Sequence, residues 1–268
     1  MSLHPSKTTV FILAAGRGER MMPLTANTPK PLLKVGECSL IENHINRLAD
    51  MGFKDFVINI AYLGDAIKQV IGDGNRWGVR ITFSDEQAQG ALETAGGIQY
   101  ALPLIKSDYF LCVNADIWTD FNFNELLTKL SQTSANNESN IAAAIVMVDN
   151  PNHNPDGDFC LSNISGNNLN NNTKNDNSHY KKTTFERIQH KNAKNPAFSN
   201  YTFSGIGVYA KDAFKSLPSG KKPLAPLLRE WIDNNTLFGV VYTGQWFDIG
   251  TPERLAEINL ALDKVQKA

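Results

Sequence analysis

Three cations, two glycines and fixed prolines crowd into one stretch near the start of the 268-residue chain. It reads Gly16-Arg17-Gly18-Glu19-Arg20-Met21-Met22-Pro23-Leu24-Thr25 and then Pro29-Lys30-Pro31-Leu32. The apolar run Val10 to Ala14 before it reads as a buried strand that ends in a glycine-containing loop. Such a loop can turn backbone N–H groups toward an anion with no Cβ in the way. Arg17, Arg20 and Lys30 add fixed positive charge for several phosphate oxygens. A Walker A loop is excluded because no Gly-Lys-Ser/Thr follows, and Met21 stands where a dinucleotide fingerprint needs its third glycine. A merely tight turn would leave this density of cations without a reason.

Two aspartates have positions that could serve the same phosphates. Asp116 follows the apolar segment Tyr109 to Val113, and Asp248 sits in Trp246-Phe247-Asp248-Ile249-Gly250-Thr251, just before a helical pattern. Two carboxylates at the carboxyl edge of a sheet can share one Mg²⁺ that bridges phosphates. Taken alone, each could equally be a turn or helix cap.

The elements that must position these groups alternate between two periodicities. Val10–Ala14, Phe56–Ile60, Val79–Ser84 and Tyr109–Val113 read as strands, separated by helical patterns over 39–51, 66–71 and 94–102. Ser39 with Glu42 forms a capping-box pattern, Gly52 is the stop, and Thr94 is the expected cap of the third helix. Strands joined by helices of this length need crossovers, which gives an α/β fold with a mainly parallel sheet covered on both faces. Further on, 122–130, 224–233 and 252–265 read as helices and 141–148, 183–188 and 201–209 as strands. Thr251 and Pro252 open the last helix, and Leu255, Ile258, Leu262 and Val265 form its apolar stripe. Eight of the fifteen residues 163–177 are asparagine, so 163–182 and about 189–198 are expected to form a mobile surface insertion in a single domain, 1–268.

Bulk properties narrow the function. Twenty-six Lys plus Arg against 27 Asp plus Glu give a net charge of −1, which leaves no overall electrostatic footprint for nucleic acid or an anionic membrane. The longest apolar run, 141–148, is far too short to span a bilayer. Cys38, Cys112 and Cys160 are odd in number and widely spaced, and no signal-peptide pattern precedes Thr9. A cytoplasmic protein with reduced thiols is the expectation.

The phosphate-loop string resembles the signature of the sugar-1-phosphate nucleotidylyltransferases, Gly-x-Gly-x-Arg-(Leu/Met)-x-Pro-Leu-Thr followed by Pro-Lys-Pro-Leu. The resemblance implies a single-domain, Rossmann-like nucleotidyltransferase fold with a mixed, mainly parallel central sheet flanked by helices. It implies UTP and a sugar 1-phosphate as partners and Mg²⁺ as cofactor, with Arg20, Lys30, Asp116 and Asp248 catalytic and both aspartates on the metal. Leu13, Ala14, Ala15, Gly16, Arg17, Gly18, Ala91 and Thr94 would cradle the nucleotide, with Leu92-Glu93-Thr94-Ala95-Gly96-Gly97 as the base-recognition turn. Asn114, Gly157, Glu186, Ser204 and Gly205 would bind the sugar.

Where many members have Glu-Lys-Pro, this chain has Glu186-Arg187-Ile188. Arg187 serves the sugar phosphate, or the segment is an ordinary strand end. Leu92-Glu93-Thr94 and Leu224-Ala225-Pro226-Leu227-Leu228-Arg229 resemble the branch of the family that acts on a muramic acid α-1-phosphate in cell-wall recycling. That sugar carries an extra carboxylate, for which Arg187 and Arg229 are candidates. The same chemistry on glucose or mannose 1-phosphate with UTP, dTTP or GTP is the alternative. A regulatory subunit without turnover is the reading from another class, although Lys30, Asp116 and Asp248 are all present. A monomer or small homo-oligomer is expected.

Overall fold

The structure is a computed structural model, described over residues 3–135, 140–162, 185–191 and 198–266. The first half contains β1 (Thr9–Leu13), β2 (Lys34–Val35), β3 (Cys38–Ser39), α1 (Leu40–Asp50), β4 (Asp55–Ile60), α2 (Gly64–Ile71), β5 (Arg80–Asp85), α3 (Glu93–Ala101), β6 (Tyr109–Asn114), β7 (Ile117–Thr119) and α4 (Phe123–Ala135). The second contains β8 (Ala143–Val148), β9 (Phe159–Ser162), β10 (Glu186–Arg187), β11 (Gln189–His190), β12 (Phe198–Ala210), α5 (Ala225–Asp233), β13 (Leu237–Tyr242), β14 (Trp246–Asp248) and α6 (Pro252–Gln266).

The main sheet runs β10-β13-β8-β12-β6-β1-β4-β5, with β9 and β11 attached beside β12. β6, β1, β4 and β5 are parallel neighbours, as the helical crossovers between them require, and β8 is parallel to β13. β12 lies antiparallel between β6 and β8 and joins the two parallel blocks. The sheet is therefore mixed and mainly parallel.

Side-chain alternation along β1 separates two cores. Val10 and Ile12 pack with Ile41, Ile45 and Leu48 of α1, Ile67 of α2 and Leu126 of α4. Phe11 points the other way, into a core with Ala95 and Ile98 of α3 and Leu228, Trp231 and Ile232 of α5. A smaller cluster of Met21, Val35, Leu40, Ile249 and Ile258 lies under α6 and fastens it to the loop after β1.

Most expected elements form within a residue or two. The Ser39/Glu42 capping box is present, with the Ser39 N–H and Oγ–H both donating to Glu42 Oε2, at 2.9 and 2.6 Å. Three readings need correction. Thr94 does not cap α3, which starts one residue earlier with Leu92 at its cap and no side-chain cap bond. β13 is fully buried yet was not expected, because Gly239 interrupts its apolar run. Gln189–His190 and Phe198, placed in the insertion, instead belong to strands β11 and β12. The expected insertion at 163–182, and Val265 of the expected α6 stripe, lie outside the residues whose side chains are described.

Candidate active site

Parallel pairing of β1 with β6 sets Leu13 opposite Asn114, so the loop at Gly16 and the turn at Asp116 leave neighbouring strands at one end. The Ala115 N–H donates to the Leu13 carbonyl at 3.0 Å and ties the two together. Gly18 has φ +66°, and a Cβ there would meet Lys30 Cβ at 3.0 Å and Thr25 Cγ2 at 3.2 Å. The glycine thus lets the loop close over Lys30. Lys30 is 7% exposed and its Nζ donates to Asp116 Oδ2 at 2.5 Å. A cavity of about 510 Å³ opens above, lined by Leu13 through Met21, Lys30, Ala91, Thr94 and Asn114 through Asp116. This is the crevice outside the carboxyl ends of parallel strands, where α/β sheets bind ligands.

Asp248 comes to the same place from the far end of the chain. β14 pairs antiparallel with β7, setting Asp248 opposite Ile117, and the Ile249 N–H donates to the Asp116 carbonyl at 2.9 Å. The two backbones are adjacent, but the Asp248 carboxylate faces Arg254 at 2.5 Å and His153 at 3.2 Å. It lines a neighbouring cavity with those two residues, while Gly250 lines the phosphate cavity. Among the described residues, no group of three or more His, Cys, Asp or Glu could hold a metal. Carboxylate oxygens suit a hard cation such as Mg²⁺, and holding one between them requires the Asp248 side chain to turn from Arg254 and His153 toward Asp116.

A buried polar chain shapes the floor beside the loop. The Ala14 N–H donates to Asn59 Oδ1 at 2.7 Å, Asn59 Nδ2 donates to Glu86 Oε1 at 2.7 Å, and the Leu92 N–H donates to Glu86 Oε2 at 2.8 Å. Burial pushes the Glu86 carboxyl above its ordinary range, while both hydrogen bonds oppose that shift. A Cβ on Gly97 would meet Glu86 Oε1 at 2.7 Å, and one on Gly96 would meet the Gly220 carbonyl at 2.3 Å. The Gly96-Gly97 pair therefore lets α3 press on both Glu86 and the 220–222 loop. That loop clasps the helix start, with Ala95 and Gly96 N–H groups donating to the Lys222 carbonyl at 3.0 and 3.1 Å.

A second cavity, of about 780 Å³, shares Leu13, Glu93, Thr94 and Asn114 with the first. Gly157 and Gly205 line it with φ of +67° and +82°, and a Cβ on Gly205 would come within 2.7 Å of Asn114 Nδ2. Two of the expected sugar ligands are elsewhere. Ser204 is buried at the β12 irregularity, its Oγ–H donating to the Val146 carbonyl at 2.7 Å. Its hydroxyl braces the strand. Glu186 and Arg187 form β10 at the sheet edge and line a neighbouring groove that shares only His190 and Lys191 with this cavity, with Arg187 Nε donating to the Asn235 carbonyl at 3.3 Å. Arg187 is there a strand-end residue, whereas Arg229 of α5 lines the second cavity.

Sequence reasoning missed Asn59, Glu86, Lys221, Arg254, His153 and Lys191. Asn59 alone had a local signal, as a polar residue inside an apolar strand.

The nucleotidyl transferase family model matches residues 9–265. The chain belongs to the nucleotidyl transferase family. Among nucleotidyl transferases it is similar to the N-acetylmuramate alpha-1-phosphate uridylyltransferase of Neisseria meningitidis serogroup B, with 43% identity over 248 residues, 92% of this chain and 95% of the relative. The enzyme of the same name from Caulobacter vibrioides is 38% identical over 113 residues, 41% of this chain and 46% of the relative. A Bacillus anthracis crystal structure, provisionally described as a glucose-1-phosphate thymidylyltransferase, shares the nucleotidyl transferase fold. Its TM-score is 0.70 at 21% identity, covering 95% of this chain and 94% of that one.

Proposed function

We propose that the protein is a Mg²⁺-dependent uridylyltransferase that joins UTP and N-acetylmuramic acid α-1-phosphate to give UDP-N-acetylmuramic acid and pyrophosphate. The observation that carries this reading is the junction of two cavities at Leu13, Glu93, Thr94 and Asn114, with the Lys30–Asp116 pair beside it. Such a junction brings two phosphorylated substrates end to end. The identity to the Neisseria enzyme over nearly the whole of both chains supports the choice of nucleotide and sugar.

A phosphate oxygen of the sugar 1-phosphate attacks the α-phosphorus of UTP, a new P–O bond forms, and the bond to pyrophosphate breaks. The attacking oxygen is already anionic, so no general base is needed. Positioning and charge neutralisation supply the acceleration. Asp116 and Asp248 would hold Mg²⁺, which when bound withdraws charge from the phosphates. Lys30, fixed by burial, and Arg20, exposed on the loop wall, face the triphosphate and stabilise charge that builds on pyrophosphate. Backbone from Leu13 to Gly18, with Arg17, Ala91 and Thr94, cradles the nucleotide; Asn114, Gly157 and Gly205 floor the sugar site.

The test is pyrophosphate release, with four nucleoside triphosphates crossed against a panel of sugar 1-phosphates. Release confined to UTP with the muramic sugar is the expected result. Preference for glucose 1-phosphate would overturn the sugar assignment, and a folded protein that binds UTP without turnover would overturn catalysis.

A further inference from the structure

The second cavity has a charge pattern that a neutral sugar does not require. Its interior wall is apolar and aromatic, with Phe203, Tyr209, Leu224 and Leu228. Its two carboxylates are already occupied. Asp158 accepts from the Phe203 N–H at 2.9 Å and from Asn154 Nδ2 at 3.1 Å, and Glu93 pairs with Lys221 at 3.5 Å. At the rim stand two cations. The Arg229 side chain takes part in no hydrogen bond or ion pair among the described residues. Among the described residues the Lys191 ammonium pairs only with Asp156, at 3.6 Å, through a carboxylate whose side chain is 82% exposed. Exposed pairs of that kind contribute little and leave the ammonium available.

The two cations are held on one side of the cleft. His190 Nε2 and Asp233 Oδ1 lie 2.7 Å apart, which fastens the end of β11 to α5. Lys191 follows directly on β11, and Arg229 lies one turn before Asp233 on α5. Neither lines the phosphate cavity, where Lys30 and Arg20 stand. Neither is among the residues shared by the two cavities, where the reading above brings the phosphates together. A guanidinium beside an apolar wall suits a planar, bidentate anion.

We infer that Arg229, assisted by Lys191, recognises a carboxylate carried on the sugar ring and so selects acidic over neutral sugar 1-phosphates. This rests on the uridylyl-transfer reading above and names the residue that sets its sugar preference. The anion could also be the sugar's own phosphate, and the experiment separates the two sources.

Steady-state pyrophosphate release with UTP is measured for N-acetylmuramic acid α-1-phosphate and for its lactyl amide, which keeps the shape and phosphate but not the charge. Wild type should prefer the acid. In Arg229→Ala the ratio of the two kcat/KM values should fall on the order of 10- to 100-fold, mainly through the KM of the acid, as expected for loss of a charged hydrogen bond. Lys191→Ala should move the ratio the same way by less. An unchanged preference overturns the inference. So does an equal loss on acid and amide, which would place the guanidinium on the phosphate. Absence of wild-type turnover on the acid would be seen before any variant is made, and would instead defeat the uridylyl-transfer reading itself.

Discussion

Lys30 and Asp116 hold each other at 2.5 Å, with the lysine side chain 9% exposed and the aspartate 35% exposed. Removing one partner strands the other, and a stranded buried charge costs about 3–5 kcal/mol. Asp116→Ala is therefore expected to lower the melting temperature as well as kcat, the latter on the order of 100-fold or more. Asp248→Ala should lose turnover to a similar degree. Near-normal turnover in both variants would remove the two aspartates from the chemistry. Glu86 presents a different balance, because both of its oxygens accept bonds from N–H donors. Glu86→Gln must aim an NH₂ at one of those donors, and stability should fall by about 1–3 kcal/mol. The raised carboxyl also has a sign. The folded protein holds this proton more tightly than the unfolded chain does, so the contribution is full below the ordinary value of 4.5 and is lost as pH rises through the folded value. The excess of the wild-type urea midpoint over that of Glu86→Gln should therefore shrink as pH rises from 4 to 7, whatever the other groups do to both proteins.

At the scale of elements, two glycines control how closely neighbours approach. Gly97→Ala pushes a methyl into Glu86 and Asn59, at 2.7 and 2.9 Å, and overpacking of this kind typically costs about 1–3 kcal/mol. Gly205→Ala adds a left-handed φ to a clash with Asn114, so the KM for the sugar should rise more than that for UTP. Kinetics with each substrate varied in turn would check this. Much of this scaffold was legible. The glycine loop after β1, the Ser39/Glu42 cap and the strand–helix alternation are written in local patterns of a few residues, and their backbone formed as read. Ser204 and Glu186 were not, because what a side chain faces depends on pairing with β8 and β13, more than 50 residues away in sequence. The Asn59–Glu86–Leu92 chain was hidden for the same reason. Its members lie in three separate elements that meet only when β4, β5 and α3 pack.

For the molecule as a whole, α1 links the acid stability of the fold to the strand that follows Asp116. His44 is buried and its Nε2 lies 2.9 Å from the Ile117 carbonyl, and burial pushes its imidazole down to about 4. The unfolded chain takes up that proton near 6.5, so the contribution is full above 6.5 and is lost as pH falls through about 4. A shift of that size corresponds to roughly 3 kcal/mol. Denaturant midpoints should drop between pH 6.5 and 4.5 in wild type, and His44→Asn should flatten that drop.

The antiparallel position of β12 also carries a consequence for descent. It is the strand at which the parallel block of β1, β4, β5 and β6 meets the block formed by β8 and β13, and it supplies Phe203, Gly205 and Tyr209 to the second cavity. The residues that line the cavity proposed for the triphosphate lie before it in the chain, apart from Lys221 and Gly250. On the proposed reading, substitution at Lys191, Arg229 or the walls around them can retune which sugar is accepted while the cavity before β12 stays intact. A lineage built this way can acquire new acceptors by local substitution, without rebuilding its chemistry.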